Sequence, residues 1–209
     1  MSYRTMAQRF KGLLREVKYK IGKDTSDKPY NYLRKDAKEY AHIYALSANT
    51  QKYPLYKEND CTNFVSQALV AGGMKMKGND YRKSSEWFCY TTDPSNLNKS
   101  SLTWRSAQYF RMYWKERAGE SKKMLLSEAV KNYGLIYNTL EVGDVIQYGN
   151  ANDIAYHTQI VINKEVNIVT GKEDLFIAQH SANRKNVSLN EYLLLLSGKK
   201  CKYIYIYQF

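Results

Sequence analysis

The hydrophobic pattern of this chain changes period once, near Leu140, and that change limits the folds open to it. Before Leu140 apolar residues recur every three or four positions, as along one face of a helix. After it they alternate, as in a strand with one buried face. Helices followed by closely spaced strands describe an α+β layout, with N-terminal helices packed on one side of a C-terminal antiparallel sheet. A length of 209 residues suits one domain with a small appendage.

In the helical half, Phe10, Leu13, Leu14, Val17 and Ile21 give residues 4–21 an amphipathic stripe flanked by Arg4, Arg9, Arg15 and Lys18. Gly22 and DTSDKP end it, so 1–29 reads as a basic helix plus linker and 30–209 as the main domain. The basic helix is either a packing arm or a docking element for an anionic surface or a partner. A second helix is expected over 31–47, on Leu33, Ala37, Tyr40, Ala41, Tyr44 and Ala45. A third begins at Asp60 or Cys61, buries Phe64, Val65, Ala68 and Leu69, and stops at Gly72-Gly73. Asp60 is placed to be its N-cap. Residues 74–101 read as irregular, a length of loop that points to binding. Helices are expected over 102–117 and, capped by Ser121, through 132.

The period-two half predicts strands over 142–148, 157–163, 166–169, 175–180 and 202–209, forming a meander. Ser188 and Glu191 have capping-box spacing for a short helix over 189–196.

Composition removes several function classes. There is no run of 18 apolar residues, hence no transmembrane segment, and the N-terminus has no secretion-signal core. Lys plus Arg number 32 against 20 acidic residues, a net charge of +12 that favours anionic surroundings. No nucleic-acid-binding motif accompanies that charge, so nucleic acid is not the expected partner. Three cysteines without CxxC spacing make neither a disulfide framework nor a zinc site; no metal or cofactor is expected.

One of those cysteines is placed for chemistry. A helix N-terminus favours a thiolate, and its unpaired N–H groups can also receive an oxyanion. Cys61 has that position, among Asn59, Asp60, Thr62 and Asn63. A thiol nucleophile needs a base, and His157 and His180 lie on neighbouring strands that could present them together. His180 or Asn183 could then orient the base. A small buried cysteine without chemistry is the competing reading.

The segment DCTNFVSQALVAGG at 60–73 resembles the signature of the bacterial “putative amidase” family, in the papain-like group with the NlpC/P60 and CHAP cell-wall peptidases. YNYLRKDAKEYAHIYAL at 30–46, the Trp87 and Trp104 region, GDVIQY at 143–148, HTQIVI at 157–162 and FIAQHSAN at 176–183 follow in the same order. The resemblance implies a papain-like fold and a Cys61–His157–His180 triad. It implies support of the helix head by Asp60, and Tyr56 near the oxyanion hole. It also implies a structural Asp144, with Gly143 permitting the turn before it. Trp87 and Trp104 are candidate walls of a substrate groove.

The function expected from these residues is cysteine-dependent hydrolysis of a peptide or amide bond, with peptidoglycan the substrate the resemblance implies. The resemblance also implies the cell wall or the exterior as its place; the sequence itself names no compartment. Two alternatives stand beside this: a protease or acyltransferase effector acting on proteins, and a non-catalytic wall-binding module.

Overall fold

The computed structural model describes residues 32–209; the helix expected over 4–21 and the whole 1–29 segment lie outside the described residues. Four helices come first: α1 (Arg34–Tyr44), α2 (Cys61–Ala71), α3 (Leu102–Arg105) and α4 (Ala107–Trp114). There follow β1 (Glu120–Leu125), α5 (Leu126–Lys131) and α6 (Tyr133–Thr139). The remainder is β2 (Val145–Gly149), β3 (Ala155–Asn167), β4 (Lys172–Gln179), β5 (Arg184–Ser188), α7 (Leu189–Leu196) and β6 (Tyr203–Gln208).

The strands form one six-stranded sheet in the order β1-β6-β2-β3-β4-β5, every pair antiparallel. β2, β3 and β4 follow the expected meander, and β5, a strand not read from the sequence, extends it at the edge beside β4. β6 departs from it, returning to lie between β1 and β2. The fold is therefore α+β, with helices preceding an antiparallel sheet, but the sheet is covered on both faces rather than one. One face packs Val145, Ile160, Ile162, Ala178, Tyr205 and Tyr207 against α1, α2 and α4. The other packs Ile146, Tyr148, Val161, Ile177, Ile204 and Ile206 against α5, α6 and α7. The reason is visible in β2, where all five residues are buried: a strand apolar on both sides needs two partners.

Two helical expectations fail locally. Residues 120–125 form strand β1, where a helix capped by Ser121 was expected. Glu120–Leu125 pairs in register with Gln208–Tyr203, and the Ser121 hydroxyl donates to the Lys115 carbonyl at 2.7 Å instead of capping. Tertiary pairing overrides the propensity of ESKKML, and the edge strand it makes carries Lys122 and Lys123, which discourage further pairing. The expected helix over 102–117 is broken at Ser106, whose backbone is extended (φ −110°, ψ 128°). Residues 189–196 form a helix as read, with Ser188 accepting from the Glu191 N–H at 3.1 Å. The strands read at 157–163 and 166–169 are one strand, and Ile168 and Val169 lie exposed just beyond its end.

The turn into β2 is locked from a distance. Gly143 has φ +89°, a conformation open to glycine but strained for other residues. Asp144 is fully buried and accepts from Arg34 Nη1 at 2.7 Å and from the Glu141 N–H at 2.8 Å. Arg34 also donates to the Val142 carbonyl. α1 is thereby fastened to the sheet that α2 lies against.

Candidate active site

α2 starts at Cys61, and residues 61–69 are all buried. Its first intrahelical bond runs from the Phe64 N–H to the Asp60 carbonyl at 2.9 Å, so the amides of Cys61, Thr62 and Asn63 have no intrahelical acceptor. Asp60 does not cap them with its side chain. Its backbone is in the helical region (φ −95°, ψ −4°), and its carboxylate serves other groups. Oδ1 accepts from the Tyr56 N–H at 2.9 Å and from Asn63 Nδ2 at 2.8 Å. Oδ2 meets His180 Nδ1 at 2.5 Å, and the Asp60 N–H donates to Ser181 Oγ at 2.9 Å. Asp60 thus ties the helix head to the end of β4.

Cys61 is 6% exposed. Its sulfur lies 3.7 Å from Thr62 Oγ1, which in turn is 2.9 Å from Thr158 Oγ1 on β3. Burial pushes the thiol above its ordinary pKa; Thr62 and the backbone of Thr158 and Thr62 pull it back, and the Asp60 charge pushes it up again. The thiol therefore stands against the residue that follows His157.

His157 is 9% exposed, pairs across from Tyr148 and stacks on it with ring centroids 6.0 Å apart. Its Nε2 is buried with no hydrogen-bond partner. Burial lowers its pKa, the Gln179 side chain raises it, and Arg184 and Lys200 lower it. Gln179 is held in place: it accepts from Gln159 Nε2 at 2.6 Å and donates to the carbonyls of Ser181 and Ala182. Gln159 accepts from the Tyr148 hydroxyl. No hydrogen bond links Cys61 directly to His157 among the described residues.

His180 lies apart from His157. Its ring nitrogens are taken by Asp60 Oδ2 and, at 2.7 Å, by the Tyr44 carbonyl, and its ring stacks on Phe64 at 4.2 Å. The register explains this. Ile160 pairs with Ala178, so continuing the ladder sets Thr158, not His157, across from His180. The two histidines therefore project to opposite faces, and the side chain beside His157 is Gln179. Asn183 is exposed and donates to the Leu46 carbonyl at 3.5 Å. The signal for Gln179 was present in the sequence as paired polar residues, Gln159 and Gln179, inside two apolar strands.

Trp87 and Trp104 line no groove. Both are fully buried, with ring centroids 4.9 Å apart, and both bind α2. Trp87 Nε1 donates to Ser66 Oγ at 3.2 Å, and Trp104 Nε1 to Asn63 Oδ1 at 2.6 Å. Their work is to seat the 74–101 segment on the helix that carries Cys61. Tyr56 is half-buried, and its hydroxyl has no hydrogen-bond partner. Burial raises its pKa, with Ser100, Cys89, Arg105 and Asp60 as the further influences. Cys61, Cys89 and Cys201 are all unpaired and buried. Among the described residues no group of three or more His, Cys, Asp or Glu is placed to hold a metal, and no helix is long and apolar enough to cross a membrane.

Residues 31–207 match the family model described as “Putative amidase domain”. YjcM, an uncharacterized protein of Bacillus subtilis (strain 168), is 36% identical over 166 residues, which are 78% of this chain and 34% of YjcM. YhbB, an uncharacterized protein of the same organism, is 33% identical over 139 residues, 65% of this chain and 39% of YhbB. The chain thus spans little more than a third of the length of these curated relatives. No solved structure matches.

Proposed function

Because this chain belongs to the amidase-domain family that its residues 31–207 match, we propose that it is a papain-like cysteine amidohydrolase acting on peptide or amide bonds of peptidoglycan. The observation that supports the reading is the placement of Cys61 at the head of α2, where the amides of Cys61, Thr62 and Asn63 lack an intrahelical acceptor. Cys61 Sγ attacks the amide carbonyl carbon, and its proton passes to His157. The oxyanion is received by amides of the helix head that lack an intrahelical acceptor. His157 then gives the proton to the departing amine, leaving a thioester on Cys61. Water, deprotonated by His157, releases the acid and restores the thiol. Gln179 is the side chain that steadies the imidazole, and Asp60 with His180 anchors the helix. The peptidoglycan assignment rests on the resemblance in the sequence and suits a basic protein, since the wall is rich in anionic polymer.

The test is mass spectrometry of products released from purified sacculi. New paired amino and carboxyl ends are expected with the native chain, and they name the bond. Equal release by the native chain and by Cys61→Ala would remove the wall hydrolase reading.

The pH profile is a second expectation. Burial raises Cys61 above its ordinary 9.0 and lowers His157 below its ordinary 6.5, so the resting pair is neutral thiol and neutral imidazole. Asp60 disfavours the thiolate, and Arg184 and Lys200 disfavour the imidazolium. A rise in kcat/KM is expected as His157 loses its proton, with an apparent pKa below 6.5, followed by a level stretch to pH 9. A bell falling by pH 8 would show a preformed thiolate–imidazolium pair instead.

A further inference from the structure

A groove of about 460 Å³ opens beside the helix head, within the size range of small-ligand sites. Leu55, Tyr56, Lys57, Asn59, Leu102 and Arg105 are among its walls, and Asn59 is two residues before Cys61. Two cations face it, and none of the described residues lining it carries a carboxylate. Asp60, which follows the lining residue Asn59, is already engaged by Tyr56, Asn63 and His180.

Two polar side chains of this groove, Arg105 and Tyr56, are incompletely satisfied. Arg105 Nη1 is buried with no hydrogen bond, and the Tyr56 hydroxyl has only the Ser100 side chain beside it. The Arg105 atom is the telling one, because buried polar groups are normally satisfied and a desolvated guanidinium N–H without an acceptor is costly. Arg105 has no ion-pair partner among the described residues. A guanidinium fork with a phenol O–H beside it matches the two oxygens of a carboxylate. Apolar Leu55 and Leu102 would cover the carbon chain that carries it.

We infer that this groove is a carboxylate subsite, in which Arg105 and Tyr56 hold an acidic group of the peptide whose scissile amide lies at Cys61. The assignment rests on the hydrolase reading for its purpose, but its test does not depend on turnover. The carboxylate is either the side chain of an acidic residue or a free peptide C-terminus, and both present the same oxygens.

The experiment is an NMR titration of the full 209-residue chain carrying Cys61→Ala, following the backbone amides of 55–59 and 102–106. Three acetylated peptides are compared: Ala-Glu-Ala amide, Ala-Gln-Ala amide, and Ala-Gln-Ala with a free C-terminus. Saturable shifts with a carboxylate-bearing peptide, and binding roughly tenfold or more weaker with the neutral one, are expected for a charge-assisted bond. Whichever charged peptide binds more tightly names the source of the carboxylate. Arg105→Met is expected to abolish the preference, and Arg105→Lys to reduce it, because a lone ammonium cannot form the fork. Tyr56→Phe reduces it in a side chain that keeps its shape, which guards against misfolding of the arginine variants. Equal binding of all three peptides, an unchanged preference in both arginine variants, or no saturable shift would each overturn the subsite. A sacculus assay without Cys61-dependent products would overturn the hydrolase reading instead.

Discussion

Cys61→Ala is expected to abolish amide hydrolysis, with a loss on the order of 10⁴-fold or more in kcat, while leaving the fold intact. A nucleophile that forms the covalent intermediate has no substitute, and what survives its removal is the small contribution of binding and oxyanion stabilisation. The structural cost is small for reasons specific to the site. The sulfur's side-chain contact with Thr62 Oγ1 is long, 3.7 Å, and the helix begins at Cys61 rather than being centred on it. Alanine keeps the backbone and the helix propensity, so a stability change within about 1 kcal/mol is expected. Product release from sacculi and thermal unfolding, measured on the same preparation, separate the two effects. Activity within tenfold of native would mean that the thiol is a buried hydrophobe and not a nucleophile. Cys89→Ala and Cys201→Ala serve as controls, since neither stands at a helix head.

Asp60→Ala is expected to have the largest effect on stability. It removes the acceptor of three hydrogen bonds and strands the His180 ring between Phe64 and the Tyr44 carbonyl, with both side chains 1% exposed. The Tyr44 carbonyl can only accept, so His180 Nε2 donates to it, and Nδ1 faces the Asp60 carboxylate. Breaking one side of a buried hydrogen-bonded pair costs about 3–5 kcal/mol. In a domain of this size that lowers Tm by roughly 10 °C. Urea or thermal unfolding measures it. The double variant Asp60→Ala/His180→Phe is expected to be less destabilised than the two single variants added together, because the second change removes the stranded ring. A cost below about 1 kcal/mol for Asp60→Ala, or plain additivity, would show that the pair is not the anchor of the helix head.

The two expectations divide the labour of the site. Asp60 and His180 are adjacent to the chemistry in sequence terms, yet they hold α2 onto β4. His157 and Gln179 lie on the other face of the same two strands, whereas the head of α2 stands against Thr158 and His180.

The helix from Cys61 to Ala71 was legible because its signals are local: apolar spacing on Phe64, Val65, Ala68 and Leu69, and a double glycine at its end. The α7 cap was legible for the same reason, through Ser188 and Glu191. β1 was not, since ESKKML has no strand pattern and becomes a strand only by pairing with β6, some eighty residues later in the chain. Trp87 sits in a polar stretch that reads as exposed, and it is buried because Ser66 and Trp104 await it from elsewhere in the chain.

Local chemistry placed a thiol at a helix head and two imidazoles in strands, since helix starts, caps and alternation depend on neighbours a few residues apart. Which imidazole turns toward which partner was settled by strand register, a long-range quantity. Side chains on a strand alternate, so one residue of slip between β3 and β4 would set His157 across from His180 and put both on one face. The packing of whole layers chooses that slip. The cysteine could therefore be read from the chain alone, whereas Gln179 beside His157, the Asp60–His180 anchor and the unpaired Arg105 emerged only once the layers had closed.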